Sequence, residues 1–279
     1  MAVTGRPGTA RRAPGGTTAS MVSRLGALAS SGGRSLLRRR FAITLTLVLL
    51  ATAWIIQQVL TAGSLVTFDY TVHYLRLDLR YPHIYDAMFY LVMIGQRGPT
   101  LIPALIIIAI LAWRRRSWRP LLVLGFALLA LNVVVGGAKF YTARLAPYDN
   151  TAALYAGGTI FPSGHASNVI VTWGIVVYAL MRYGPLRHAW PGAALTTLAS
   201  LIVGVASIYL DTHWFSDIIA GWLIGVAILM ATVAVDRRRP LRSETAADVA
   251  PGTGDFPTAT GAVAEPSESG VSSGVTARR

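Results

Sequence analysis

Long apolar runs alternate with short polar stretches along this chain. A helix needs about 20 mostly apolar residues to cross the hydrocarbon core of a bilayer. Six runs reach or approach that length without a charged residue, and they cover residues 41–60, 98–113, 120–138, 166–181, 189–210 and 218–235. The pattern therefore predicts an all-α fold, a six-transmembrane-helix bundle.

The second run is short, about 24 Å at the rise of an α-helix. We therefore expect its helix to begin upstream, near His83, and to carry Arg97 close to the outer headgroups. The preceding residues 68–86 mix Tyr, Leu, His, Arg and Asp. This mixture is typical of a segment that lies in the membrane interface.

The two ends of the chain differ from the apolar runs in composition. Both are rich in Gly, Ala, Ser and Thr, with Arg at the start and Pro at the end. Such segments bury too little apolar surface to fold by themselves. We predict a disordered basic N-terminal tail (1–40), a six-helix membrane domain (41–236) and a disordered C-terminal tail (237–279).

Basic residues mark the ends of the apolar runs. The net charge is +13, and 20 of the 25 basic residues precede residue 41, follow residue 236 or lie in the loops 114–119 and 182–187. In a six-span chain these regions share one side, so the positive-inside rule places both termini in the cytoplasm. We expect a multi-pass protein of the cell (plasma) membrane. Because no basic amphipathic helix is present, we expect no nucleic-acid partner.

Composition excludes several classes of protein. Only 13% of residues are charged, against about 25% in soluble domains, which excludes a wholly soluble enzyme. The absence of cysteine excludes a thiol nucleophile, Cys-ligated zinc and an iron–sulfur cluster. Any chemistry must therefore rest on His, Asp, Ser, Lys and Arg.

Side chains suited to such chemistry collect on the opposite, outer side of the six-span frame. In chain order they are Lys139, Arg144, Asp149, Ser163, His165, Asp211, His213 and Asp217. Lys139 is the only lysine in the chain, which favours a chemical need for a compact ammonium there. A lysine at a helix end can equally extend its charge into the interface.

Two short motifs stand at the starts of the fourth and sixth spans. The sequence Phe-Pro-Ser-Gly-His at 161–165 offers an anion site, because the free N–H groups of a helix start lie beside a Ser hydroxyl. His213 and Asp217 are four residues apart, which places them on one helical face. The carboxylate can then orient the imidazole as a nucleophile or base. A structural ion pair, or two of three metal ligands, would show the same spacing.

Together these residues resemble the signatures of one known family. Lys139 with Pro147, the sequence Pro-Ser-Gly-His at 162–165, and His213 with Asp217 are similar in order and spacing to motifs of the type 2 phosphatidic acid phosphatase superfamily. These are metal-independent lipid phosphate phosphatases of the membrane. The resemblance covers residues 41–236 and not the tails.

The resemblance implies a mechanism without a metal or cofactor. His213 would be the nucleophile that forms a phosphohistidine, Asp217 would orient it, and His165 would protonate the leaving group and then activate water. The residues implied to bind the phosphoryl oxygens are Lys139, Arg144, Ser163 and Gly164. The implied substrate is a membrane lipid phosphate or diphosphate, prenyl or glycerolipid, and neither the particular lipid nor the oligomeric state follows from the motifs.

Two positions depart from the family pattern. Where the first motif has Arg-Pro, Ala146 precedes Pro147, and where the third motif begins Ser-Arg, this chain has Ala206 and Ser207. Both missing arginines are phosphate-binding residues of the family. The resemblance therefore points to Arg144 as a substitute cation.

Other functions are compatible with the same residues. One is a metal-dependent lipid phosphohydrolase, sensitive to chelators, with His165, His213 and Asp217 as ligands. A second is a non-catalytic lipid-phosphate binder or carrier, and a third is a phosphotransferase whose acceptor is not water.

Overall fold

The computed structural model describes residues 16–239, with side chains from residue 36 onward. Every regular element in this part of the chain is helical. The α-helices are α1 (Gly16–Leu60), α2 (Ser64–His73), α3 (Leu77–Arg80), α4 (Tyr85–Met93), α5 (Arg97–Arg115), α6 (Arg119–Thr142), α7 (Gly164–Arg182), α8 (Trp190–Tyr209) and α9 (Phe215–Arg237), with single 3₁₀ turns at Pro82–Ile84 and Pro147–Asp149.

Within the described residues, six helices are long and apolar enough to cross a membrane. They are α1 from Leu36 onward, α5, α6, α7, α8 and α9. The predicted all-α bundle of six spans is thus confirmed, and the chain is a multi-pass membrane protein.

The expected upstream start of the second span is wrong. Helix α4 ends at Met93 and α5 begins at Arg97, so the chain breaks around Gly95. A Cβ atom on Gly95 would lie 2.9 Å from Cβ of His165, and the Asn168 side chain donates to the Gly95 carbonyl over 3.1 Å. The break is held against α7 by these contacts, and Arg97 therefore starts a new helix instead of continuing an old one.

Helix α7 is the centre of the bundle and packs against α5, α6, α8 and α9. Gly221 and Gly225 on α9 allow the closest approach. A Cβ atom on Gly221 would lie 2.6 Å from the Ser163 carbonyl oxygen, and one on Gly225 would lie 3.2 Å from Cα of Ser167. Small residues four apart are typical of close helix contacts in membranes. The contact brings the start of α7 beside the start of α9.

The segment between α1 and α5 consists of short helices. Helix α2 packs against α1 and α9 and buries two polar side chains, Asp69 and His73. The location of residues 68–86 at a membrane interface stays a prediction. The burial of Asp69 and His73 shows that this segment also serves as packing for the sixth span.

The chain divides by its contacts into two units, Met1–Arg238 and Arg239–Arg279. Helix α1 begins at Gly16, so residues 16–40, for which we expected disorder, are helical in the structure. Extending an existing helix costs little through a segment that contains many Ala, Leu and Arg residues. The rest of the predicted tails, residues 1–15 and 240–279, lies outside the described residues, and the three-part division stays a prediction.

Candidate active site

A cavity of about 490 Å³ lies at the end of the bundle where α5, α7 and α9 begin, which we call the site end. Its walls come from the α4–α5 break, α5, α6, α7 and the turn before α9. The lining residues are Gly95, Gln96, Arg97, Leu131, Val135, Gly136, Lys139, Ile160, Gly164, His165, Ser167, Asn168 and His213. Polar groups therefore share one cavity with an apolar wall from α6.

His213 lies in the turn before α9, with 7% of its surface exposed. Its Nδ1 atom is 3.4 Å from Oδ2 of Asp217, and the same oxygen accepts the Trp214 backbone N–H over 3.0 Å. Because α9 begins at Phe215, His213 precedes the helix, and the shared helical face that we expected is not the cause of the contact. The pair forms because Asp217 turns back to cap the helix start.

His165 stands in the first turn of α7 and is half-buried. Its ring centroid is 6.0 Å from that of His213, with the ring planes at 71°. Among residues 36–239, no side chain or backbone group hydrogen-bonds to the His165 ring. One imidazole with a carboxylate partner thus faces one without, which is the arrangement that a nucleophile and a separate acid–base group require.

Lys139 and Gly164 both line the cavity, and phosphate binding by them stays a prediction. The Lys139 ammonium donates to the carbonyl of Thr159 and, over 3.3 Å, to that of Ile160. A Cβ atom on Gly164 would lie 3.8 Å from Cε of Lys139. The ammonium therefore stands beside the start of α7, where helix N–H groups have no intrahelical partner.

Ser163 lies near the cavity but does not line it. The residue is fully buried, and its Oγ accepts the Ala166 N–H over 3.4 Å. Its own N–H donates to the Asp217 carbonyl over 2.9 Å. Ser163 therefore caps α7 and ties it to α9, and phosphate binding by its hydroxyl stays a prediction.

Arg144 does not line the cavity, contrary to our expectation of a phosphate-binding cation. It is fully buried behind the His213–Asp217 pair. One terminal nitrogen donates to Asp217 over 2.6 Å and to Ser216 over 2.8 Å, and the other donates to Asp69 over 2.7 Å. The carboxylates on either side draw the guanidinium into the protein, where both terminal nitrogens are occupied.

Asp69 is a site residue that the sequence reasoning missed. It lies on α2, with 1% of its surface exposed. Besides Arg144, its carboxylate accepts the backbone N–H of Ser216 over 2.8 Å and the Ser216 hydroxyl over 2.6 Å. Burial raises the pKa of the Asp69 carboxyl, and the Arg144 guanidinium opposes that rise.

Arg97 is a second residue that the sequence reasoning did not assign to the site. It is exposed, begins α5 and lines the cavity with Lys139, His165 and His213. Its side chain makes no hydrogen bond or ion pair with any residue in the described range. The break at Gly95 places Arg97 on the cavity wall with the histidines, whereas the expected continuous helix placed it only near the outer headgroups.

A second His–Asp pair lies beside the first, outside the cavity. Nδ1 of His73 is 2.8 Å from Asp211, and Nε2 is 3.2 Å from the side-chain oxygen of Asn150. The His73 ring also lies 5.5 Å, centroid to centroid, from Trp214. This pair ties α2 to the two loops that hold the motifs.

The sequence model of the PAP2 superfamily matches residues 120–240. Over this region the chain is similar to members of the PAP2 superfamily. Phosphatidylglycerophosphatase B of Bacillus subtilis is 25% identical over 166 residues, which cover 57% of this chain and 79% of that protein. Undecaprenyl-diphosphatase of Sulfolobus acidocaldarius is 29% identical over 118 residues, which cover 40% of this chain and 53% of that protein. The chain thus spans about half the length of the second relative.

A PAP2 protein of known structure has the same fold. It is described as the crystal structure of the first transmembrane PAP2 type phosphatidylglycerolphosphate phosphatase from Bacillus subtilis. The TM-score is 0.59 at 21% identity, over 70% of this chain and 97% of that chain. The likeness supports the six-span bundle.

The PAP2 match includes Lys139, His165 and His213 but begins after Asp69 and Arg97. The two motif positions that lack arginine, Ala146 and Ser207, are both buried, and the Ser207 hydroxyl donates to the Val203 carbonyl over 2.8 Å. Neither position supplies a cation to the cavity.

Proposed function

We propose that this protein is a PAP2-type integral-membrane phosphohydrolase that releases phosphate from a lipid phosphate or diphosphate, through a phosphohistidine on His213. The observation that carries the proposal is the convergence of the His213–Asp217 pair, His165, Lys139 and Arg97 on one cavity. The names of its two relatives, phosphatidylglycerophosphatase B and undecaprenyl-diphosphatase, support lipid phosphates as the substrate class.

In the first half-reaction, the unprotonated Nε2 atom of His213 attacks phosphorus. A P–N bond forms, and the P–O bond to the lipid, or to the lipid monophosphate of a diphosphate, breaks. The leaving oxygen takes its proton from His165, whose ring is near enough to His213 for both to reach one phosphoryl group. Asp217 fixes the tautomer of His213 and stabilises the positive charge that its ring acquires.

In the second half-reaction, His165, now unprotonated, removes a proton from water as the water oxygen attacks phosphorus. The P–N bond breaks, inorganic phosphate is released, and His213 regains its starting form. His165 is suited to both proton transfers because no described residue occupies its ring nitrogens.

Binding of the phosphoryl oxygens is assigned to Lys139, Arg97 and the N–H groups at the start of α7. Phosphoryl transfer depends mainly on positioning and on neutralising oxygen charge. Arg97 supplies a guanidinium where Ala146 and Ser207 supply none. Its fork of donors can bind two oxygens of one phosphate.

The apolar wall of the cavity suits a lipid tail. Leu131, Val135 and Gly136 of α6 form this wall. A smaller cavity of about 60 Å³ shares Arg97, Leu131 and Asn168 with the main one, and its other lining residues are Leu101, Leu128 and Asn132. A lipid could thus place its phosphate at the histidines and its chain between α5 and α6.

We assign the site end to the extracytoplasmic face of the plasma membrane and both termini to the cytoplasm. The basic loops 114–119 and 182–187, and the end of α9, lie at the opposite end of the helices from the site. The positive-inside rule supports this orientation.

The hydrogen bonding of Asp217 disfavours the metal-dependent alternative. Its Oδ1 accepts from Arg144, and its Oδ2 accepts from the Trp214 N–H and faces Nδ1 of His213. Few lone pairs remain for a metal ion. A divalent cation at this position would also be repelled by the Arg144 guanidinium.

The decisive experiment measures phosphate release by the purified protein. Phosphatidic acid, phosphatidylglycerol phosphate and prenyl mono- and diphosphates are supplied in mixed micelles, with and without EDTA. We expect release that resists EDTA, together with an acid-labile phosphate label on the protein that is absent in His213→Asn. Loss of phosphate release in EDTA would favour a metal-dependent enzyme. Saturable lipid binding without phosphate release would favour a carrier. Phosphate transfer to an added alcohol, with no release into water, would favour a phosphotransferase.

The proposed orientation can be tested by cysteine labelling, because the chain contains no cysteine. Tyr148 at the site end and Arg116 at the opposite end are both exposed. In intact cells, Tyr148→Cys should react with an impermeant maleimide and Arg116→Cys should not. The reverse labelling would place the site in the cytoplasm.

A further inference from the structure

The side chains of Asp69, Arg144 and Asp217 form a continuous buried row behind His213. Asp69 is 1% exposed, and the other two are 0% exposed. Arg144 bridges the carboxylates with contacts of 2.7 Å to Asp69 and 2.6 Å to Asp217. The row ends at His213, 3.4 Å from Asp217.

The row is assembled from separate parts of the fold. Asp69 comes from α2, Arg144 from the loop after α6, and Asp217 from α9. The Arg144 guanidinium also lies 5.4 Å from the Trp214 ring and 6.0 Å from the Phe161 ring. Buried charges are tolerated only when they are paired, so the position of each member depends on the others.

The charges in the row leave one net negative charge beside the histidine. When His213 bonds to phosphorus, its ring becomes positively charged, and a nearby negative charge stabilises that state. A pair of Asp217 with Arg144 alone would be neutral. Asp69 restores the negative charge that Arg144 would otherwise cancel.

We propose that Asp69 and Arg144 are positioning residues that act through Asp217 on His213. Arg144 holds Oδ1 of Asp217, so that Oδ2 is directed to His213. Asp69 compensates the charge of Arg144, so that the row remains negative. This proposal rests on the proposed phosphohydrolase function and deepens it, because it assigns the activation of the nucleophile to residues outside the motif histidines and aspartate.

The geometry separates this role from phosphate binding. Neither Asp69 nor Arg144 lines the cavity. Both terminal nitrogens of Arg144 are already committed to Asp69, Ser216 and Asp217. Changes in the row should therefore alter the reactivity of His213 and leave phosphate affinity nearly unchanged.

Other charged and titratable groups also surround His213, and the experiment keeps them constant. In the cavity they are Arg97 on α5, Lys139 on α6 and His165 on α7. Asp217 on α9 lies behind the ring, and the His73–Asp211 pair lies on the other side of Trp214. None of them is altered in the variants below.

The test compares Asp69→Asn, Arg144→Gln and the double variant Asp69→Asn/Arg144→Gln. Asp69→Asn makes the row neutral, so kcat should fall at least about tenfold with KM changed less than about threefold. Arg144→Gln leaves two carboxylates facing each other and should also lose at least about tenfold in kcat, with lower stability. The double variant restores one net negative charge on Asp217 and should exceed both single variants in kcat by at least about threefold.

A second readout does not require turnover. The titration of His213 is followed by NMR in nanodiscs with ¹³C-labelled histidine, and the five histidines are assigned by substitution. Asp69→Asn removes a negative charge, so protonation of His213 becomes harder and its titration midpoint should move to lower pH. The double variant should return the midpoint toward that of the unmodified protein. Binding of inorganic phosphate should change less than about threefold in Asp69→Asn.

Asp236→Asn is the matched control. Asp236 is a buried carboxylate near the opposite end of α9, paired with Arg119 over 2.8 Å and hydrogen-bonded to Tyr178 and Tyr183 over 2.6 Å each. This change should lower stability but leave the His213 titration midpoint in place. A purely structural role of the Asp69 row would make Asp69→Asn behave like Asp236→Asn, and that result would overturn the proposal.

The remaining outcomes are also decisive. If kcat of the double variant did not exceed that of Asp69→Asn, the claim that Asp69 compensates the charge of Arg144 would be wrong. Weaker phosphate binding with kcat retained in Arg144→Gln would make Arg144 a phosphate ligand instead. If the unmodified protein released no phosphate from any lipid, the proposed function would fail, while the NMR midpoints would still decide whether the row controls His213.

Discussion

The parts of the chain on either side of residue 120 contribute different kinds of group to the site. Residues 120–240, which match the PAP2 superfamily, supply His165, His213 and Lys139. The part before residue 120 supplies Arg97 on the cavity wall and Asp69 in the row behind His213. In the proposed mechanism both reacting histidines come from residues 120–240, whereas two of the charged groups around them, Asp69 and Arg97, come from the earlier part.

This difference follows from packing. The histidines stand at the starts of α7 and α9, which approach each other at Gly221 and Gly225, so their positions are fixed by the centre of the bundle. Helix α2 packs against α1 and α9, and the start of α5 follows a break in the chain. We therefore expect substitutions of the histidines in residues 120–240 to abolish phosphate release. Substitutions before residue 120 should change its rate without abolishing it.

The largest effect should come from His213→Ala, which removes the nucleophile. Phosphate release should fall at least about a thousandfold, while the protein still elutes as a folded species. The control is His188→Ala, an exposed histidine between α7 and α8, whose rate should match that of the unmodified protein. Turnover of His213→Ala within tenfold of normal would rule out the phosphohistidine and remove the basis of the comparison.

Asp217→Asn should have the next largest effect. The amide cannot stabilise a positive His213 ring, and it can reverse the tautomer by donating to Nδ1, so kcat should fall by roughly a hundredfold or more. KM should change little because Asp217 is buried and does not line the cavity. Steady-state kinetics on the best lipid substrate would measure both, and an effect confined to KM would contradict the orienting role.

The fold was predictable from the sequence because membrane spans depend on local composition. Runs such as 41–60 and 218–235 contain no charge, and a bilayer requires such runs to be helical. The start of the second span was not predictable in the same way. It depends on contacts of Gly95 with His165 and Asn168 on another helix, and hydropathy does not record them.

The candidate site was predictable in part. His165, His213, Lys139 and Gly164 line one cavity, and the sequence could point to them because their motifs are short and local. Arg144 was expected to bind phosphate, but in the structure it pairs with buried carboxylates. Asp69, one of these partners, is 75 residues away in the sequence, so no local pattern connected the two residues. A signal for Arg97 was present, because few basic residues lie away from the basic side of the six-span frame.

Arg97→Gln should have an intermediate effect and sharpen the comparison. Loss of the guanidinium should raise KM and lower kcat/KM by about tenfold, with Arg97→Lys retaining more activity. The control is Arg80→Gln, which removes an equal, exposed charge on α3 outside the cavity lining. Equal kinetics for these two variants would remove Arg97 from the site. If Arg97→Gln lost as much activity as His213→Ala, Arg97 would be as essential to the reaction as the histidine, and the proposed difference between the two parts of the chain would be wrong.

The smallest effect should come from Gly95→Ala, which tests whether packing at the α4–α5 break sets the position of the histidine. The added methyl would lie 2.6 Å from a methyl of Val203 and 2.9 Å from Cβ of His165, so something must shift. Overpacking of this kind costs about 1 to 3 kcal/mol in stability, and a displaced His165 should lower kcat by about threefold to tenfold.

The matched control for Gly95→Ala is Gly98→Ala, three residues later, where an added Cβ meets nothing within 4 Å. In the first turn of α5, alanine should leave kcat unchanged and stabilise the helix by up to about 1 kcal/mol. Thermal unfolding and kcat measured for both variants separate the two sites, because both changes add the same methyl group to the same segment. Identical behaviour would mean that the break merely connects α4 to α5. A loss confined to Gly95→Ala would mean that the part of the chain before residue 120 also helps to place a reacting group, by contact instead of charge.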